Sequence, residues 1–166
     1  MAAPPAPLSV DIHTSVKEGD MAKVIEFLEE GGDVNVRCRY RTIPLHRAAA
    51  YNHQDIAKLL LEKGADIEAN DGAGQTPLFW ACKGGHAEMA TILLSEGAHI
   101  NAQDRKERTP LHEAARHGKQ KTCALLLKRG AKRDTMDVDG NEPGEDSDPS
   151  VPESVRSQIR NLIENT

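Results

Sequence analysis

The sequence predicts an all-α solenoid of stacked helix-turn-helix units, and three observations carry that expectation. Pro44, Pro77 and Pro110 stand 33 residues apart, each followed by a leucine, Leu45, Leu78 and Leu111. Gly31, Gly64, Gly97 and Gly130 keep the same interval. Between these markers every period carries two stretches with apolar residues at helical spacing. Self-similarity of this length marks a repeat array, in which a unit buries its apolar face only against its neighbours.

The units fall at about 9–37, 38–70, 71–103 and 104–136, after a short Pro/Ala-rich arm at 1–8 that reads as flexible. Thr76-Pro77 and Thr109-Pro110 supply a side-chain acceptor at a helix N-cap and a proline at the first helical position, where its missing N–H costs nothing. The first helix continues with small residues, Ala48-Ala49, Ala81-Cys82 and Ala114-Ala115, which let neighbouring helices approach closely. The second carries the bulk: Ile56, Leu59, Leu60 and Leu61, then Met89, Ile92, Leu93 and Leu94, then Leu125, Leu126 and Leu127. Three-to-four spacing makes each set one stripe. The in-phase glycines sit where a helix C-terminus needs the left-handed conformation.

Departures from the period carry their own expectations. In the first unit VDIHTSVKEGD replaces the Thr-Pro-Leu-His line, and Lys23 and Glu26 stand where Ile56 and Leu59 stand later, as a polar terminal cap requires. Ile43 in place of a capping threonine is expected to cost about 1 kcal/mol. Arg41 and Glu107 occupy the phase of Gly74 and Gly140, so their turns are expected to be less rigid or differently shaped. DVDGNEP at 137–143 still follows the period, whereas GEDSDPSVPE loses it. Ser150 to Glu153 resembles a capping box, and Val155, Ile159, Leu162 and Ile163 share one helical face. Residues 137–150 therefore read as a remnant and acidic loop, and 151–166 as a helix capping a degenerate fifth unit.

Composition narrows the function. No run approaches 18 apolar residues, and the opening MAAPPAPLSV lacks a secretory pattern, so neither a membrane span nor an export signal is expected. Cys38, Cys82 and Cys123 are odd in number and widely spaced, which suggests neither a disulfide framework nor a zinc site and points to the cytosol or nucleus. The net charge of −5 hides an asymmetry: residues 134–166 hold nine acidic and two basic residues, leaving nineteen basic against seventeen acidic in 1–133. The body and the tail thus carry opposite signs.

No catalytic or metal centre is expected. In HEAARH, His112 and His117 are five residues apart, roughly 500° of helical turn, so they cannot share a metal as in HExxH. DGAGQT at 71–76 lacks the Gly-Lys-Ser/Thr ending of a phosphate loop. No nucleophile–base pair follows from spacing, and no cofactor is implied.

TPLHEAA at 109–115, the 33-residue period and the Gly-Ala pairs at 64–65, 97–98 and 130–131 resemble ankyrin repeats over residues 9 to 142. The resemblance implies a curved stack of helix pairs with β-hairpins projecting from one edge, a protein-binding scaffold. It also implies that His46 and His112 brace adjacent hairpins. Asn35 and Asn101 fall at the hairpin position that asparaginyl hydroxylases modify in such repeats.

Carried over position by position, the implied concave groove takes Arg39 and Tyr40, then Arg105, Lys106 and Arg108 from hairpin tips. From the first helices it takes Arg47 and Tyr51, Trp80 and Lys83, and Arg116 and His117. Where the sister units hold His46-Arg47 and His112-Glu113, the third holds Phe79-Trp80. Phe79 reads as packing; Trp80, the only tryptophan, reads as a binding hot spot or as a side chain tucked under a hairpin. A basic, aromatic groove suits a protein partner presenting an acidic or phosphorylated segment with a hydrophobic anchor. The chain's own loop at 137–148 is a possible internal ligand. The reading is an adaptor, expected monomeric; the alternative is a regulatory subunit of an enzyme or transcription complex. Dispersal of the basic residues among Glu107 and Glu113 argues against nucleic acid.

Overall fold

The computed structural model describes residues 11–165, so the N-terminal arm expected at 1–8 lies outside the described residues. Nine helices occur among them: α1 Ile12–Glu18, α2 Met21–Glu29, α3 Pro44–Tyr51, α4 Gln54–Glu62, α5 Pro77–Gly84, α6 Ala87–Ser95, α7 Pro110–Arg116, α8 Gln120–Lys128 and α9 Glu153–Glu164. Odd-numbered α1, α3, α5 and α7 pack in sequence as one row, and α4, α6 and α8 form a second row behind them. No strand is assigned among the described residues; the loops between units close as tight hairpin turns. The fold is an all-α repeat solenoid.

The two rows follow from side-chain size. Ala48, Ala49, Ala81, Cys82, Ala114 and Ala115 are all buried in the first row, so those helices approach closely. Ile56, Leu60, Met89, Leu93 and Leu126 fill the space between rows, each at most 3% exposed. Burying such a side chain is worth about 1.5–3 kcal/mol. Gly31, Gly64, Gly97 and Gly130 end the second helices with φ between 83° and 96°, and a Cβ there would meet no neighbouring atom, so backbone conformation alone dictates glycine.

Five sequence expectations are corrected. Thr76 does not cap its helix through the side chain, whereas Thr109 and His112 form a reciprocal capping box, the Thr109 N–H on His112 Nδ1 at 3.1 Å. The third-position N–H instead bonds the N-cap backbone carbonyl in two units, Phe79 to Thr76 at 3.0 Å and His46 to Ile43 at 3.1 Å. Ile43, 1% exposed, thus forfeits no cap and gains apolar burial. Arg41 and Glu107 are not differently turned: at φ 61° and 60° they take the left-handed shape of Gly74 at 84° and Gly140 at 79°. The turn is set by bonds that hold any residue there, at a modest steric cost. Ser150 does not open α9, whose N-cap is Pro152; its backbone N–H is turned to Asp148 Oδ1 at 2.8 Å. Finally, the first unit is closer to its sisters than it reads, since Ile12 and His13 stand in the phase of Leu45 and His46 and Ile12 is 2% exposed.

The final segment closes one end of the stack. Residues 142–150 form turns without a helix. α9 then lies on α8, burying Ile159 and Ile163 with Val155 and Leu162 beside them. Arg156 fastens the preceding loop, its guanidinium donating to the carbonyls of Val151 at 2.8 Å, Asp148 at 3.2 Å and Pro149 at 3.0 Å.

Candidate interaction surface

The surface is built on an aspartate turn repeated every 33 residues. Asp71 Oδ1 accepts the backbone N–H groups of Ala73 at 2.8 Å and Gln75 at 2.9 Å. Asp104 Oδ1 does the same for Lys106 at 2.8 Å and Arg108 at 3.1 Å, and Asp137 Oδ1 for Asp139 and Asn141, both at 2.9 Å. In the first such turn Cys38 holds the phase of the aspartate, its sulfur 2.9 Å from Thr42 Oγ1. Backbone bonds lace the tips together: Gly72 N–H to Tyr40 O, Arg105 N–H to Ala73 O and Val138 N–H to Lys106 O, each 3.0 Å. The tips therefore form one continuous edge.

Histidines tie the edge to the helices. His46 Nε2 donates to Gln75 O at 3.0 Å while its Nδ1 accepts the Ile43 N–H at 3.3 Å. His112 repeats this with Asn141 O at 3.1 Å and the Thr109 N–H at 3.1 Å. Both imidazoles are pushed below the ordinary histidine value by burial, so they stand neutral with the proton on Nε2. Phe79 fills the same place with a fully buried ring. Its cost falls on Thr76: that hydroxyl is buried without a partner, whereas Thr109 Oγ1 lies 2.9 Å from His112 Nδ1.

Trp80 stands on α5 above this bracket, half-buried against the core. Its Nε1 donates to Asp71 Oδ2 at 3.0 Å, its ring meets His46 edge-on at 5.9 Å, and the Arg47 guanidinium lies 5.9 Å from the ring centroid. One edge of Trp80 is thus fixed against its own hairpin, while the residue keeps some exposure. Tyr40 and Tyr51 are 55% and 43% exposed, with Arg39 stacked 4.5 Å over Tyr40.

The basic residues divide into two groups. At the α7 end they already have carboxylates. Arg108 is bound by Asp104 at 2.7 Å and Glu113 at 3.2 Å with its side chain only 12% exposed. Arg116 lies 3.6 Å from Asp146, and His117 lies 3.2 Å from Glu113 and 3.9 Å from Asp148. Arg108, read from sequence as a partner-binding tip residue, is thus already paired: the aspartate that shapes its turn also neutralises it. Toward α1 and along the tips, Arg39, Arg47, Lys83, Arg105 and Lys106 have no ion pair among the described residues. The acidic loop reaches only the α7 end of this surface, where the Asp148 N–H also bonds Arg116 O at 3.0 Å.

Sequence reasoning missed two sets of residues that assemble this surface. One is the aspartate phase, Asp71, Asp104 and Asp137. The other is a second histidine phase, His53 and His86, whose Nε2 atoms donate to Lys17 O at 3.1 Å and Ala50 O at 3.0 Å and tie successive units. Both lie in register with the period and were legible from it. Asn35 and Asn101 are also bridges: Asn35 Oδ1 accepts the Asp66 N–H at 2.7 Å and Asn101 Oδ1 the Lys132 N–H at 2.8 Å. Glu68, between them in phase, does the same for the His99 N–H at 2.8 Å.

No helix among the described residues is long and apolar enough to cross a membrane. Comparison with curated proteins returned no match. The family model described as Ankyrin repeats (3 copies) matches residues 12–71 and 69–137, most of the chain. With the period, the paired helix rows and the laced hairpin tips, this match establishes that the chain belongs to the ankyrin repeat family, whose repeats are in general protein–protein interaction modules.

Proposed function

We propose that the protein is a non-catalytic adaptor, working as a monomer in the cytosol or nucleus, that grips an acidic or phosphorylated, partly hydrophobic segment of another protein. The observation that carries this reading is Arg47 poised over the Trp80 ring with no carboxylate partner. A half-buried arginine without a counter-ion is costly to keep, and aromatic–arginine pairs concentrate binding energy in interfaces. Tyr40, Tyr51 and Lys83 extend the same face, and Arg105 and Lys106 border it. The α7 end contributes less, because Arg108, Arg116 and His117 are already paired.

Selection from a displayed random peptide library against the full chain tests the proposal. Peptides recovered should be rich in Asp, Glu and a large apolar residue, and should lose binding on Trp80→Ala but not on Lys128→Ala, which lies on exposed α8 surface. Neutral or basic peptides, or peptides indifferent to Trp80, would count against it. Asn101 and Asn35 are proposed as hydroxylation positions; a mass gain of one oxygen per site on treatment with an asparaginyl hydroxylase checks this.

A further inference from the structure

At the α1 end of the groove lies a recess of about 490 Å³, lined by Asp11, His13, Thr14 and Lys17 of the first unit and by Cys38, Arg39, Tyr40 and Arg47 of the second. Its charges do not balance. Lys17, Arg39 and Arg47 face one carboxylate, Asp11, which is committed to α1, accepting the His13 N–H at 3.1 Å and the Thr14 hydroxyl at 2.5 Å. His13 is held below its ordinary value by burial, so it stands neutral and adds no charge near pH 7. Residues 1–10 contain no Asp or Glu, so that segment supplies no side-chain counter-charge. The opposite end of the same face differs: Asp104 and Glu113 pair Arg108, and Asp146 pairs Arg116.

We propose that this recess is a phosphate subsite of the groove, taking a phosphorylated side chain of the bound segment. The excess of two positive charges matches a phosphomonoester of charge near −2. Arg47 is pre-oriented by the Trp80 ring and Arg39 by Tyr40, leaving planar guanidinium groups that suit two phosphate oxygens at once. Lys17, exposed on α1, supplies the third cation from a different unit, so the site exists only where the two units meet. This inference rests on the acidic-segment reading and narrows it to one anion and one place.

Three degenerate peptide libraries test it on the full chain, alike except that the fixed central residue is phosphoserine, serine or glutamate. The phosphoserine library should be retained over the serine library by on the order of tenfold or more, the effect expected of new charge-assisted hydrogen bonds. Arg47→Gln should abolish that preference, and Lys17→Gln, at an exposed position that cannot endanger the fold, should reduce it. Lys128→Gln, on exposed α8 surface, should leave it intact. Equal retention of the glutamate and phosphoserine libraries overturns the phosphate assignment while keeping the acidic groove. Binding that depends on Trp80 but not on Arg47 or Lys17 also overturns it. Failure of all three libraries to bind, with the chain folded by circular dichroism, removes the acidic-segment reading as well.

Discussion

The indole N–H of Trp80 donates to Asp71 Oδ2 at 3.0 Å, while Oδ1 of the same carboxylate holds the N–H groups of Ala73 and Gln75. One side chain thus fixes both the turn at the rim and the aromatic on the floor. Asp71→Ala should cost about 1–3 kcal/mol in denaturant unfolding, because it leaves buried donors unmade. Trp80→Phe should cost about 1 kcal/mol, and the double variant should cost clearly less than the sum. Additive losses would show that the two residues act separately.

Trp80→Ala should weaken a selected acidic peptide by on the order of 2 kcal/mol, the scale of an interface hot spot. Titration calorimetry reads this directly. Unchanged binding alongside lowered stability would make Trp80 a packing residue only.

The unpartnered hydroxyl of Thr76 is a local defect that its counterpart lacks. Thr76→Val should therefore stabilise the chain by about 1 kcal/mol, whereas Thr109→Val should destabilise it by about as much. The two substitutions are the same in chemistry and in phase. A matching sign in thermal unfolding would contradict the account of Phe79 as a replacement that strands its neighbour.

Burial holds His46 and His112 below the ordinary value of 6.5, so as pH falls the unfolded chain takes up protons before the folded one does. Their contribution is complete above 6.5 and is lost as pH drops below it toward the folded values. His46→Phe with His112→Phe copies the side chain at position 79 and should reduce the loss of stability as pH falls below 6.5. Gln75 O and Asn141 O would keep a donor each, from the N–H groups of Asp71 and Asp137 at 3.0 Å. A slope unchanged in the double variant would place the titration elsewhere.

Asp146 and Asp148 sit on exposed or half-exposed surface, where an ion pair is worth about 0–1 kcal/mol. Asp146→Asn with Asp148→Asn should leave stability nearly unchanged. The same change should raise affinity for an acidic peptide and steepen its salt dependence by freeing Arg116. Unaltered affinity would mean that bound segments never reach α7.

Much of the fold was legible because its determinants are local and periodic. Pro77 and Leu78, the paired alanines and Gly64 each act through spacing along the chain. Arg41 and Glu107 were misread for a physical reason: glycine preference is a matter of about 1 kcal/mol, and turn hydrogen bonds override it. The charge pattern of this face was not legible. Whether Arg108 or Arg116 is free depends on Glu113 and on an acidic loop brought in by Arg156 and α9, contacts that no phase count contains.

The central claim is that the face shared by Arg39, Arg47 and Trp80 is where a partner binds. Amide and indole shift mapping of the labelled full chain, titrated with a library-selected acidic peptide, tests it most directly. The account predicts the largest shifts at the Trp80 indole N–H and at Arg39, Tyr40 and Arg47. Shifts confined to α4, α6 and α8, with the indole signal unmoved, would contradict it.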